Sequence, residues 1–291
     1  MRLSDLIFLS FILFASVAYG DNWVIRYLDA HKNPENLTGL KMPSDWPEQV
    51  SRSGDNVIPS PNLPQHWDWR EHGTVRDARN QGACGSCWAF ATDGVSEIVW
   101  QLQHKGEQTT LLGPQALLDC SGSGCGGGWF NAFDYIQNSG LPLEGSYPYK
   151  AFQNSCRSYA PAQSITRWSY IGDGSAEPTV EQLKQAIYDH GPIAVVVGAD
   201  SGFMRYKNGI FNGCNYSQPN HMVILTGWQA SPDKNGHWYL LNSWGTAWGE
   251  KGYMRIPYYA KGSYKCNSLG QVAAYAVVDG VENLRTFLGI K

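Results

Sequence analysis

The first long periodic segment of the chain runs from about Cys87 to His104. Apolar residues at Trp88, Ala91, Val95, Ile98, Val99 and Leu102 recur at helical spacing. Ser86 stands where a cap would start this helix, and Gly106 where it would stop. Cys87 is therefore expected in the first turn of a long, mostly buried helix. Shorter helical patterns follow at 115–120 and 130–138. Another, at 179–190, opens with Thr179 and Gln182 at capping-box spacing and ends at Gly191-Pro192. Beyond it the pattern changes. The runs at 193–199, 222–228, 237–244, 252–258 and 271–278 are short and apolar, which predicts buried strands. A helical first half and a strand-rich second half predict two lobes with a cleft between them.

The amino end is organised differently. Arg2 precedes an apolar run at 6–17, and Ala18-Tyr19-Gly20 is a small-x-small cleavage site, so 1–20 reads as a signal peptide. The run is too short to span a bilayer, and no later run is long enough. The expected product is a soluble, exported protein, in the medium, a lysosome or vacuole, or a periplasm. Residues 21–62 hold several prolines and no cysteine, with Trp23, Ile25, Tyr27 and Leu28 as a small apolar anchor. They read as an extended pro-segment that packs on the domain after it.

Export permits disulfides, and the seven cysteines are odd in number. Three pairs would leave one free thiol, which needs a reason in an oxidising compartment. The net charge of −3 gives no ground for a nucleic-acid partner. Cys84 and Cys87 form a Cys-x-x-Cys. A redox pair would want a strand just upstream, yet ARNQGA is polar and turn-like. Zinc would want a second close pair of ligands. A thiol at a helix start has its thiolate stabilised by unpaired amides, which suits a nucleophile. The Gly-rich loop at 121–129 lacks the strand-to-helix context of a dinucleotide site.

CGSCW at 84–88 resembles the active-cysteine signature of the papain-like cysteine proteases. LPQHWDWREHGTV at 63–75, LLDCSGSGCGGGW at 117–129, NHMVILTGW at 220–228 and LLNSWGTAWGEKGYMRI at 240–256 continue the resemblance in order. It implies an α+β fold with a helical left lobe (mainly 63–175) and an antiparallel β-barrel-like right lobe (mainly 176–285), with the active site in the cleft. It implies Cys87 as nucleophile, His221 as its base and Asn242 as the group that orients the imidazole, with Trp244 covering that hydrogen bond. It implies Gln81 as oxyanion donor together with the Cys87 N–H. Gly127 and Gly128 would pair with an extended substrate. Trp129, Phe130, Val196, Ala199 and Met222 would line an apolar pocket for the second residue before the cleaved bond. The implied disulfides are Cys84–Cys125, Cys120–Cys156 and Cys214–Cys266.

The expected activity is endopeptidase hydrolysis through a thioester, without cofactor or metal, by a monomer. Its partners would be peptide or protein substrates, its own pro-segment and protein inhibitors. Exopeptidase action, transpeptidation through the same acyl-enzyme, and a silent binding protein on this fold are the alternatives. The chain departs from the family pattern in places. Gly126 replaces a common asparagine. Asn220 replaces a frequent aspartate, an exchange expected to alter the pH profile. The pro-segment lacks the long-helix pattern, and Gly54 and Asn56 resemble a remnant of the family's shorter Gly-x-Asn motif. Asn36 and Asn215 begin Asn-x-Ser/Thr sequons.

Overall fold

The computed structural model describes residues 37–73, 77–104, 111–233, 235–260 and 264–290. The signal peptide, the anchor at 23–28, Asn36 and Gly106 lie outside the described residues. The helices of the first lobe are α2 (Cys87–Gln103), α3 (Pro114–Cys120) and α4 (Ala132–Ser139). Ahead of them come α1 (Trp46–Ser53) and the short strands β1 (Gly54–Asp55) and β2 (His66–Asp68). The second lobe holds β3 (Arg167–Ile171), α5 (Val180–His190), β4 (Ile193–Val197), α6 (Ser201–Met204) and β5 (His221–Gln229). It continues through β6 (His237–Leu241), β7 (Tyr253–Pro257), β8 (Ala273–Val277) and α7 (Leu284–Phe287).

Helix α2 is buried along almost its whole length, and Trp88, Val95, Ile98, Val99 and Leu102 sit in the core. It also carries two fully buried acids, Asp93 and Glu97. A buried charge is tolerable only when paired. Arg79 donates to Asp93 at 3.1 Å, and Glu97 accepts the Leu112 backbone N–H at 2.8 Å. Ser86 does not cap this helix with its side chain. Its hydroxyl pairs with the Tyr149 hydroxyl at 2.7 Å, and its backbone carbonyl accepts from Ala89 and Phe90. Helix α5 has the reciprocal Thr179–Gln182 box at its start.

The sheet corrects the expectation of a barrel-like lobe. Its strands run in the order β1-β3-β8-β4-β5-β6-β7, with β2 added to β5. The two ends of the path, β1 and β7, do not pair, so the sheet stays open. Closure needs every strand, the outermost included, to find a neighbour on both sides. Here the edge of β3 is taken by β1, a two-residue strand running parallel to it from ahead of Leu63. The fold is thus a two-lobe α+β arrangement with an open, mostly antiparallel sheet.

Disulfides join Cys84 to Cys125, Cys120 to Cys156 and Cys214 to Cys266, and Cys87 is free and buried. The first two lie within the helical lobe and the third within the sheet lobe.

Candidate active site

Cys87 is the first residue of α2 and is fully buried. The backbone N–H groups of Met222, Trp88 and Cys87 itself face its sulfur. Burial nevertheless dominates and pushes the thiol up to about 12. His221 opens β5, opposite Val197 of β4. Cys87 meets the backbone of Met222, the residue after His221 along β5.

The imidazole is oriented from behind. Asn242 follows β6, and its Oδ1 accepts the backbone N–H of Ser243 at 2.8 Å, which marks that atom as the oxygen. The same Oδ1 lies 2.8 Å from His221 Nε2, so Nε2–H donates to it. Nδ1 is left buried and without a partner, free to take a proton. Trp244 stacks on the ring, with centroids 4.7 Å apart. Burial lowers His221 to about 4, and the Asn242 hydrogen bond only partly offsets it.

Gln81 is held on all sides. Its Oε1 accepts from Ser243 Oγ at 2.6 Å, its N–H donates to the Ser243 carbonyl at 2.8 Å, and its carbonyl accepts from Tyr149 Oη at 2.7 Å. Arg79 anchors the loop that carries it by reaching Asp93, the Leu112 carbonyl and Glu144 Oε2, the last at 2.6 Å. The Gln81 amide nitrogen donates to the Cys84 carbonyl at 2.9 Å and to the Thr38 carbonyl at 3.1 Å.

Thr38 belongs to the segment ahead of Leu63, which lies in the cleft. The Leu37 carbonyl accepts from Trp244 Nε1 at 2.7 Å. Gly39 and Leu40 donate to the Asn220 carbonyl, Gly128 donates to Gly39, and Lys41 donates to Gly128. Leu40 is thereby bridged to Gly128 in parallel. Gly39 has a φ of +123°, and a Cβ there would meet the Gly85 carbonyl oxygen at 2.1 Å. A Cβ on Gly128 would meet the Trp88 ring at 2.5 Å. Gly39 permits the close approach of two backbones, and Gly128 the close approach of the Trp88 ring. Gly127 has a φ of +111° and forms the turn before this pairing.

The residues expected to line the apolar pocket fall into two groups. Trp129 packs on Phe130, and Phe130 on the Tyr170 ring of β3. Val196 and Met222 are cross-strand partners, and Ala199 follows β4. Asn220 binds both backbone groups of Ala199, accepting its N–H at 2.8 Å and donating to its carbonyl at 3.4 Å. A carboxylate could only accept, so the amide serves the Ala199 carbonyl in a way aspartate would not. Leu37, Thr38, Ser243 and Tyr149 were not legible as site residues. They act through backbone carbonyls or hydroxyls that carry no spacing signal. Among the described residues no cluster of His, Cys, Asp and Glu could hold a metal ion.

The pattern of the family described as papain family cysteine protease matches residues 63–276. Cathepsin S of Bos taurus is 37% identical over 231 residues, covering 76% of this chain and 67% of that protein. Ananain of Ananas comosus is 36% identical over 224 residues, covering 75% and 63%. The chain thus spans about two thirds or less of these relatives' length. The digestive procathepsin L2 proteinase of Tenebrio molitor larval midgut superposes with a TM-score of 0.72 at 29% identity, over 84% of this chain and 79% of that one. The bromelain protease of Ananas comosus, solved in complex with the E64 inhibitor, gives 0.67 at 33%, over 75% and 100%. A free cysteine at a helix start, a histidine held by an asparagine, and likeness over most of the chain agree: the chain belongs to the papain family of cysteine proteases.

Proposed function

We propose that the chain is a cysteine endopeptidase made as a self-inhibited precursor, with residues 1–20 removed on export and 21–62 acting as the pro-segment. The observation that carries the mechanism is the His221–Asn242 hydrogen bond, which leaves Nδ1 as the basic nitrogen. With substrate in place, the Cys87 proton passes to His221 Nδ1 and the sulfur attacks the peptide carbonyl carbon. Charge develops on the carbonyl oxygen and is met by the Gln81 amide and the Cys87 N–H, donors whose stabilisation grows as the bond forms. His221 then protonates the departing amine, and water resolves the thioester to free acid and thiol. Asn242 and Trp244 keep the imidazole aimed throughout.

The Thr38 carbonyl on the Gln81 amide supports the inhibitory reading, because it takes the donor the reaction needs. So do the perturbed acidities. With the cleft filled, burial favours neutral thiol and neutral imidazole over the ion pair. Gly127 and Gly128 would grip the substrate backbone once the segment leaves. Trp129, Phe130, Val196, Ala199 and Met222, all buried and apolar, support an apolar or aromatic residue second before the cut.

A peptide-library cleavage assay on matured enzyme tests this, with Cys87→Ala as control. Internal cleavage after an apolar-x pair is expected, with loss of all hydrolysis in the variant. Retained cleavage by Cys87→Ala would overturn the mechanism, and cleavage confined to chain ends would overturn the endopeptidase assignment. Capture of an added amine in place of water would identify a transpeptidase.

A further inference from the structure

Beyond Gly128 the cleft wall carries two polar hydrogens among the packed rings of Trp129, Phe130 and Tyr170. Trp129 Nε1 and Tyr170 Oη both donate to one atom, Gln49 Oε1 of α1, each at 3.1 Å. The two donors also lie 2.9 Å from each other, the indole N–H shared between the hydroxyl and the amide oxygen. Both residues are buried. Two neighbouring side-chain donors aimed at one acceptor make a notch shaped for an oxygen. Gln49 fills it from the segment that also fills the cleft.

We propose that this notch is a specificity subsite, and that the mature enzyme uses it to select a substrate glutamine. The proposal rests on the peptidase reading above. Its place follows from the segment's path. The chain moves from Trp244 at Leu37, past Gln81 at Thr38, to Gly128 at Leu40, and Gln49 follows after α1 begins. The notch is therefore on the far side of Gly128 from the oxyanion donor. Trp129 is also a wall of the pocket for the second residue before the cut, so the notch serves the third or fourth residue before it. An apolar side chain there would leave the Tyr170 hydroxyl desolvated and without an acceptor, and the Trp129 N–H with that hydroxyl as its one acceptor, a cost of the size that gives polar sites their selectivity.

The surround favours the amide over the carboxylate. Trp168 Nε1 donates to Asp134 Oδ1 beside the notch. Burial first, and then Asp134 and Asp45, hold the Tyr170 hydroxyl protonated. Asp45 belongs to the departing segment, but Asp134 remains and repels a substrate acid. Glutamine supplies the same oxygen without the charge.

Two measurements on the full-length protein decide the point. The first compares kcat/KM of self-matured enzyme on peptides that differ only by glutamine or norleucine at the third and fourth positions before the cut. Mass measurement establishes that 37–62 has left. A glutamine preference of roughly 5- to 50-fold is expected at one position, with glutamate below glutamine, and Tyr170→Phe should reduce it to within about twofold. Equal rates on the two peptides, or a preference that survives in Tyr170→Phe, would overturn the proposal. So would retention of α1 in the active enzyme, since Gln49 would then keep the notch. The second measurement needs no hydrolysis. Alkylation of Cys87 in the unprocessed chain should quicken in Gln49→Met and in Tyr170→Phe, and no further in the double variant. Additive effects would show that the two side chains do not act together, and would sink the notch. Hydrolysis of neither peptide with that coupling intact would count against the peptidase reading and leave the notch standing.

Discussion

At the scale of single residues, the site depends on a few atoms that can each do one thing. Asn242 must present its oxygen to His221, because the Ser243 N–H has already claimed that oxygen. Gly39 must be glycine, because its φ of +123° and its contact with Gly85 leave no room for a Cβ. Replacing it is a test of the segment without touching the catalytic residues. Strain of about 1–3 kcal/mol at such a position corresponds to roughly 5- to 150-fold. Gly39→Ala should accordingly raise the rate of Cys87 alkylation in the unprocessed chain by that factor. An unchanged rate would mean that the segment does not guard the thiol. Cys87, His221, Asn242 and Gln81 were legible in the sequence because their neighbours form ordered motifs. Thr38 and Gln49 were not. One acts through a carbonyl that every residue has, and the other through an amide whose partners lie far away in the chain.

At the scale of elements, the strands at 193–197, 221–229, 237–241, 253–257 and 273–277 could be read directly, since the first, second and last are short apolar runs buried on both sides and the other two alternate buried with half-buried positions. The parts that were missed have weak patterns for identifiable reasons. Helix α1 contains Pro47, which read as a break but occupies the first turn, where a missing N–H costs nothing. Strand β1 is two residues long and exists only because β3 offers an open edge. Helix α7 is one turn, with its sequence signal in Asn283 as cap and Leu284 as anchor. That turn packs on α5 and α2, elements of different lobes. Leu284 is fully buried, near Gly191 and Val99. Leu284→Ala should cost about 2–5 kcal/mol by the usual loss of buried methyls. A thermal melt of the full chain reads this, and a change small enough to fit an exposed residue would show that the tail does not tie the lobes.

At the scale of the whole molecule, the cleft has two protonation regimes. In the filled cleft His221 titrates at about 4, against an ordinary 6.5. Between those values the unfolded or vacated form holds a proton that the filled form does not. Stability of the filled form is therefore present above 6.5 and is lost as pH falls toward 4. The span limits the effect to about 3 kcal/mol. Denaturant unfolding of the Cys87→Ala chain should lose up to that amount more over this interval than the same chain carrying His221→Gln. Equal pH dependence of the two chains would remove His221 from the balance.

In the self-inhibited precursor proposed above, the segment in the cleft is joined to the rest of the domain by residues 42–62, and that link has a consequence of its own. While it is intact, the blocking strand competes at a fixed local concentration, on the order of millimolar for a short tether. Diluting the protein cannot free the site, and a soluble substrate well below that level cannot displace the strand. A single cut in the link changes the kind of equilibrium. The strand becomes an ordinary dissociable peptide, and its hold falls with every dilution. Dose then matters where before it did not: concentrated, freshly cut enzyme would still be restrained by its own fragment, and the same material spread into a larger volume would be active.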